Sequence, residues 1–437
     1  MTTTVIKGGR ILDQTGERPG DLVVDDATGL IIEVGPDLNA DESRDDRTID
    51  ATGCLITPGF VDLHVHMREP GNEAAETIET ASRAAAKGGF TAVVAMPNTD
   101  PCMDDPAVIN QVIELGRTAL CTVKPSAAIS MGRAGEQLAP MGELAALGVR
   151  MFTDDGTGVQ DDMFMRRALE YAGSLSTDDG VPIVLSQHCE VTALSAGGVM
   201  HEGEWSSRLG LGGQPSEAEE LMVMRDIALA RLTNVRVHFQ HLSTAGSVAM
   251  VRAAKAGGLP VTAEATPHHF TLTDACCADY NANFKVHPPL RTQADVDAIK
   301  AGLRDGTIDA IATDHAPHTP DSKDRPFDEA PPGMLGLETA MAVAMAELDM
   351  ELADILPMLS WQPAVIGGLS KTHGLPIEAG NAANLAVIDP AHRWTVSGTD
   401  MASKANNTPF EGRELVGRVR HTIHHGDVVV ENGEATR

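Results

Sequence analysis

The sequence predicts an α/β protein: a (β/α)8 TIM-like barrel with a small composite β-sandwich domain built from both chain ends. Eight short apolar runs alternate with helical stretches, the pattern of a parallel barrel. Two flanking tracts read instead as short strands punctuated by Gly and Asp. Polar residues of metal-binding type recur just beyond the ends of the eight runs, where such a barrel carries its chemistry. At 437 residues the chain suits a large barrel plus a smaller module.

The first tract covers residues 1–57, with strand-like runs at 4–6, 10–12, 21–24 and 30–34 and a charged loop at 41–46. The last sixty or so residues look alike, with runs at 384–389, 420–423 and 427–430. Neither piece closes a good sandwich alone. Residues 1–57 plus 378–437 are therefore expected to form one β domain beside a hydrolase barrel spanning 58–377. The barrel strands are expected at 60–65, 91–96, 122–129, 149–152, 183–186, 235–240, 261–264 and 310–313. Residues 76–87 and 216–231, rich in Ala with apolar spacing, read as two of the intervening helices.

Composition excludes several classes. The net charge of −29 argues against nucleic acid and against anionic membrane, both of which attract basic surface. No run reaches the ~18 apolar residues of a membrane span. The N-terminal residues lack the basic start and apolar core of a signal peptide, so a cytoplasmic protein is expected. Cys54, Cys102, Cys121, Cys189, Cys276 and Cys277 are scattered without a CxxC pair and read as free thiols.

The polar residues follow the strands in order. His64, His66 and Arg68 come first, and histidines two apart on a strand share a side, where they can hold one ion. Asn98 follows strand two, and Asp154, Asp155 and Gly156 follow strand four. His188 follows strand five, His241 ends strand six, and His268 and His269 follow strand seven. Asp314, His315 and His318 follow strand eight. Imidazole with carboxylate suits zinc better than iron or manganese. Four histidines and two carboxylates exceed what one tetrahedral ion takes. Two ions bridged by a carboxylate and a hydroxide would use them all and would serve hydrolysis of an amide-like bond, or its reverse.

Seven motifs together carry a resemblance. They are Asp62-Leu63-His64-Val65-His66-Met67-Arg68-Glu69-Pro70-Gly71, Met96-Pro97-Asn98-Thr99, Phe152-Thr153-Asp154-Asp155-Gly156 and Thr266-Pro267-His268-His269. The others are Lys285-Val286-His287-Pro288-Pro289-Leu290-Arg291, Ala312-Thr313-Asp314-His315-Ala316-Pro317-His318 and Asn407-Thr408-Pro409-Phe410. On these the chain resembles the bacterial type I dihydroorotases of the amidohydrolase superfamily, from about residue 4 to 431. The resemblance implies reversible cyclisation of N-carbamoyl-L-aspartate to L-dihydroorotate in de novo pyrimidine biosynthesis. It implies zinc, two ions per chain, with His64 and His66 on the first, His188 and His241 on the second, and Asp155 bridging. Asp314 would ligate the first ion and serve as general base and acid, passing a proton from the attacking hydroxide to the leaving nitrogen. Arg68, Asn98 and His318 would hold the substrate carboxylate, and Pro332 and Gly333 would meet the ring through backbone groups. His66 is counted with the substrate-binding residues as well. A homodimer, and association with aspartate transcarbamoylase, also belong to the implied picture.

The chain departs from the family at His287, where relatives usually carry an asparagine that contacts substrate; imidazole can still donate or accept one bond. Val191 departs too, since an acidic residue often follows the glutamate there. The rival readings are another cyclic amidase (hydantoinase, dihydropyrimidinase or allantoinase) and a non-catalytic scaffold. The cyclic amidases commonly use a metal-bridging lysine near strand four, and residues 149–153 contain none. Blander roles are expected elsewhere. His268 and His269 would be structural, His315 would support Asp314, and Asp62 would orient His64 or His66. His238 would be a packing residue by strand parity. His421, His424 and His425 would lie on the surface, and Asp104-Asp105 and Asp161-Asp162 would start helices. The Gly/Pro-rich segment 317–336 reads as a loop able to gate the site.

Overall fold

The computed structural model describes residues 2–36, 38, 47–175, 177 and 179–437; the charged loop expected at 41–46 lies outside the described residues. The central strands are β1 (Phe60–Val65), β2 (Phe90–Ala95), β3 (Thr122–Pro125), β4 (Met151–Phe152), β5 (Val184–Gln187), β6 (Val237–Phe239), β7 (Val261–Ala265) and β8 (Ala310–Ile311). Every residue of β1 and β2 is buried, as expected of parallel strands covered on both faces. β1 to β3 pair in parallel in one sheet and β4 to β8 in another. A parallel bridge between Ala127 and Phe152 links the chain after β3 to β4, and one between Val65 and His315 links β1 to the chain after β8. Leu63, Val94, Met151, Val184 and Ala310, from β1, β2, β4, β5 and β8, pack in one cluster. Strands that are not paired neighbours thus meet through side chains.

Strand three is shorter than expected. Its pairing with β2 ends at Pro125 opposite Ala95; beyond it Ser126 N donates to Ala95 O at 3.0 Å and Ala127 N turns to Met151 O at 3.1 Å. Helix α1 (Ile78–Lys87) starts at Thr77, which accepts the N–H of Thr80 in a capping box. Its buried Ile78, Ala81, Ala84 and Ala85 belong to the same cluster as Phe60 and Phe90, whose rings meet edge-on at 5.6 Å. Helix α2 (Glu217–Thr233) follows β5, and its Glu219 side chain accepts the backbone N–H groups of Ser243 and Thr244, fixing the chain just after β6. Asp105 and Asp161 cap the helices that follow them, accepting from Ala107 and Phe164.

The chain ends pair with each other. Strand Leu385–Thr395 lies antiparallel to Leu55–Pro58 within a seven-stranded sheet, and Thr3–Lys7 belongs to a four-stranded one. Ile6, Leu22 and Val24 from the smaller sheet pack with Ile11, Ile56, Leu385, Val387 and Ile423 from the larger. Gly16–Pro19 is a strand that apolar patterning does not reveal, a polar edge ending in proline. His421 is a correction: it is buried, not superficial. A β-bulge separates it from Val419, so His421 pairs with Val387 and turns, like Ile423, toward the cluster between the two terminal sheets. His424 is half-buried and His425 is exposed.

Candidate active site

At the C-terminal ends of the strands the chain brings the six expected ligand residues together. His64 is fully buried, and its Nδ1 lies 3.0 Å from Glu264 Oε1. The Nδ1 proton belongs to that bond, so Nε2 is the nitrogen left for a metal. That Nε2 has no hydrogen bond and lies 3.3 Å from Asp155 Oδ1 and 3.5 Å from Asp314 Oδ1. His66 repeats the arrangement. Its Nδ1 meets Asn98 Oδ1 at 2.9 Å, and its Nε2 lies 3.0 Å from Asp314 Oδ1 and 3.7 Å from Asp155 Oδ2. His188 is held through Nε2 by Glu190 at 3.2 Å, leaving Nδ1 facing His241 Nε2 at 3.0 Å and Asp155 Oδ1 at 3.8 Å. Ligand atoms of His64, His66 and Asp314 lie within 4.8 Å of one another, and so do those of His64, Asp155 and His241.

The electrostatics suit a cation. Burial opposes ionisation of Asp155, but the imidazoles of His64, His66 and His188 hold its carboxyl well below the usual range. Burial, with His188 and His64 alongside, holds His241 well below the ordinary histidine value, so it is neutral and free to ligate. Arg68, His241 and Asp314 adopt left-handed backbone with φ of 60°, 30° and 46°, strain typical of functional sites.

Eleven of the twelve expected site residues line one cavity of about 170 Å³, and His64 sits beneath it. That is below the ~300–1,000 Å³ of pockets for drug-sized ligands and suits a single ring. At one wall Arg68 Nε donates to Pro317 O at 3.1 Å, with Nη2 3.4 Å from His318 Nε2. Burial, with Arg68 and Lys323 nearby, pushes His318 down to about 3, so it is neutral and donates to Pro332 O at 2.8 Å. Asn98 Nδ2 donates to Asp155 Oδ2 at 3.1 Å. His287 sits on another wall, its Nε2 2.7 Å from Glu190 Oε2 and 2.9 Å from Gln214 Nε2. Gly333 shows its Cα edge to the cavity, but its N–H already donates to Lys285 O at 2.8 Å.

The neighbouring polar residues have partners of their own. Asp62 accepts the backbone N–H groups of His64 and Thr313 at 3.0 and 3.1 Å, so it fixes main chain rather than an imidazole. Burial raises its pKa to about 7. His315 turns to Glu76 rather than to Asp314, its Nε2 3.6 Å from Glu76 Oε2. His238 is not mere packing, since its Nε2 meets Glu264 Oε2 at 3.0 Å. Asp154 accepts from the N–H groups of Ile129 and Ser130, away from the imidazoles. His269 bonds Thr266 and Pro288. Glu264 is the residue that sequence reasoning missed, although a carboxylate inside the apolar run of β7 was the signal.

Comparison with known proteins places the chain in context. The family model described as dihydro-orotase-like matches residues 53–247. The chain is 47% identical to the dihydroorotase of Anaeromyxobacter dehalogenans over 99% of both chains. It is 44% identical to that of Streptomyces coelicolor over 100% of both, and 46% identical to that of Mycobacterium tuberculosis over 99% of both. Among solved structures, the L-hydantoinase (dihydropyrimidinase) of Arthrobacter aurescens superposes with a TM-score of 0.87 at 22% identity, covering 100% of this chain and 98% of that one. The dihydropyrimidinase of Brevibacillus agri gives 0.84 at 23% identity, covering 99% and 96%. These structures share the mixed α/β fold.

Proposed function

The chain belongs to the dihydroorotase family, and on that premise we propose that it interconverts N-carbamoyl-L-aspartate and L-dihydroorotate. The observation that carries the reading is the meeting, in one small cavity, of a guanidinium able to grip a carboxylate with an imidazole–carboxylate cluster able to hold metal. Zinc fits the residues. His64 Nε2 is a buried nitrogen without a hydrogen bond, and His64, His66 and His188 each have their other nitrogen occupied, which leaves one nitrogen turned inward for a metal. His64, His66 and Asp314 would hold one ion, His188 and His241 a second, with Asp155 between them. Bound there, zinc would acidify a water and polarise the ring carbonyl.

The chain's own groups do the rest. Arg68, with Asn98 and the neutral His318, binds the substrate carboxylate and fixes the ring. His287 and the backbone at Pro332 and Gly333 bound the other side. In the hydrolytic direction the water oxygen adds to the amide carbon and the carbon–nitrogen bond breaks. Asp314 takes a proton from that water and delivers it to the departing nitrogen. The synthetic direction runs the same transfers backwards.

The architecture belongs to the same proposal: a closed eight-stranded barrel over 58–377, with residues 1–57 and 378–437 as one β-sandwich domain. The bridges beside β3 and β8 and the apolar cluster between the two terminal sheets support it. No described helix is long and apolar enough to cross a membrane. A cytoplasmic homodimer that can associate with aspartate transcarbamoylase completes the reading; sedimentation alone and with that enzyme tests both contacts.

The deciding experiment measures turnover of dihydroorotate beside dihydrouracil, hydantoin and allantoin, with metal content determined on the same zinc-loaded sample. Dihydroorotate alone should react, and turnover of the uncharged rings instead would make the chain a different cyclic amidase. Asp314→Asn should retain most of the metal while kcat falls by about 10²–10⁴-fold. Near-normal turnover in that variant would remove Asp314 from its role.

A further inference from the structure

A second histidine cluster lies far from the cavity, at the opposite end of the parallel strands. His373 follows the last helix before the C-terminal strands, and its Nε2 donates to Thr91 O at 3.2 Å, near the start of β2. His424 and His425 form the tight turn between strands Glu414–His424 and Asp427–Glu431. Both Nε2 atoms face the hydroxyl of Thr122, the first residue of β3, at 2.9 and 3.3 Å. Ring centroids are 4.4 Å apart for His424 and His425, 5.7 Å for His373 and His425, and 6.4 Å for His373 and His424. One ring nitrogen from each lies within 4.8 Å of the others.

We propose that His373, His424 and His425 form a zinc site that clamps the C-terminal hairpin to the N-terminal ends of the parallel strands. Imidazole nitrogens alone select a borderline divalent cation, and three leave zinc one open position. Tetrahedral zinc at ~2.0–2.1 Å from each nitrogen sets them a little over 3 Å apart, so the rings need only small rotations. The supporting shell is in place. The bond to Thr91 uses the Nε2 proton of His373 and orients the ring, so its Nδ1 carries the lone pair for the ion; the Thr372 hydroxyl, 2.9 Å from that nitrogen, turns away as zinc binds. Asn384 ties the two ligand-bearing segments together, accepting from His425 N at 2.8 Å and donating to Thr372 O at 2.9 Å. Burial and the neighbouring rings keep His373 and His424 near 3, and burial lowers His425 as well, so all three are neutral ligands. The charge of Lys124 also bears on His373, and burial lowers the pKa of that lysine. His425 is exposed, which gives an ion a way in.

The test loads the full chain with zinc, desalts it and counts metal in the parent and in His424→Asn/His425→Asn. The double variant should lose about one equivalent per chain while dihydroorotate turnover stays unchanged, because neither residue approaches the cavity. Added zinc should also raise the melting temperature of the parent and not of the variant, since a ligand stabilises the state it binds. Equal metal content in the two proteins, or zinc held only at millimolar concentration as an adventitious ion, would overturn the proposal. Loss of the equivalent is read independently of which ring the enzyme hydrolyses, so the two proposals fail separately.

Discussion

Glu264 shows how much one buried carboxylate can organise. Its Oε1 receives His64 Nδ1 and its Oε2 receives His238 Nε2, each at 3.0 Å, while His238 Nδ1 meets Thr262 Oγ1 at 2.8 Å. Burial would raise the glutamate, but the bonds from His238 and His64 outweigh it and hold it at about 2. The charge therefore stays on Glu264 and fixes the tautomer that aims His64 Nε2 into the cluster. Glu264→Gln should weaken zinc affinity by about 10–100-fold, measured by competition with a chelator at constant pH. Undiminished affinity would mean that packing alone orients His64. Glu190 plays a similar part between His188 and His287. His287 lines the cavity, so His287→Ala should raise the KM for dihydroorotate by about 10-fold, the worth of one hydrogen bond to a charged substrate, with kcat changed far less. Parity would set His238 facing away from His241, but β6 ends at Phe239 and His241 has left-handed backbone, so both rings approach the Glu264–His64 pair; only the strand itself is legible from the sequence. Which partner waits across the sheet is not, because parity fixes a direction and not a neighbour.

Strands were the legible elements because continuous apolar runs and the polar residues after them mark the two ends of each. Their lengths were less so: β4 and β8 keep only two paired residues each before the chain turns into the site. Segment 317–336 is a further case. Its Gly and Pro content suits a gate or a static loop alike, and the structure shows what bonds it. Lys323 Nζ is buried and donates to Pro331 O and Gly333 O at 3.0 Å. Asn407 Nδ2 donates to Ala316 O and Gly333 O at 3.1 Å, while its Oδ1 accepts from His318 N. A composition argument sees the loop and not the distant Asn407 that holds it. Gly333 matters within this arrangement for a steric reason. Its φ is 136°, and a Cβ there would lie 2.8 Å from both His318 Nε2 and Ala316 Cβ. Gly333→Ala should therefore push His318 out of place and raise KM by at least about 10-fold, with little loss of bound zinc. Steady-state kinetics paired with a metal count checks this, and an unchanged KM would show that the wall can yield.

The whole molecule depends on how its two ends are joined to the centre. The apolar cluster shared by both terminal sheets was legible as two tracts of alike short strands, each too small to cover itself. The polar joint was not, because Asp13 reads as an ordinary turn residue. Its side chain is buried and accepts from Ile377 N at 2.8 Å, more than three hundred residues away, and from Thr15 N and the Arg18 guanidinium at 2.9 Å. Arg18 in turn donates to Ile377 O at 3.1 Å, so both backbone groups of Ile377 are held by the N-terminal strands. Burial opposes the charge on Asp13, but Arg18 and the N–H donors outweigh it and lower its pKa to about 2. A carboxylate lowered on folding stabilises above its unfolded value of 3.8, and that contribution is lost as pH falls through about 2. Asp13→Ala leaves Arg18 and Ile377 N without their acceptor and should cost about 3 kcal/mol near neutral pH, read from urea unfolding of the terminal sheets. The gap between parent and variant should narrow as the pH is taken from about 4 towards 2, since the parent then loses the same charge by protonation. A gap that stays constant across that range would show that Asp13 holds the joint by shape rather than by charge.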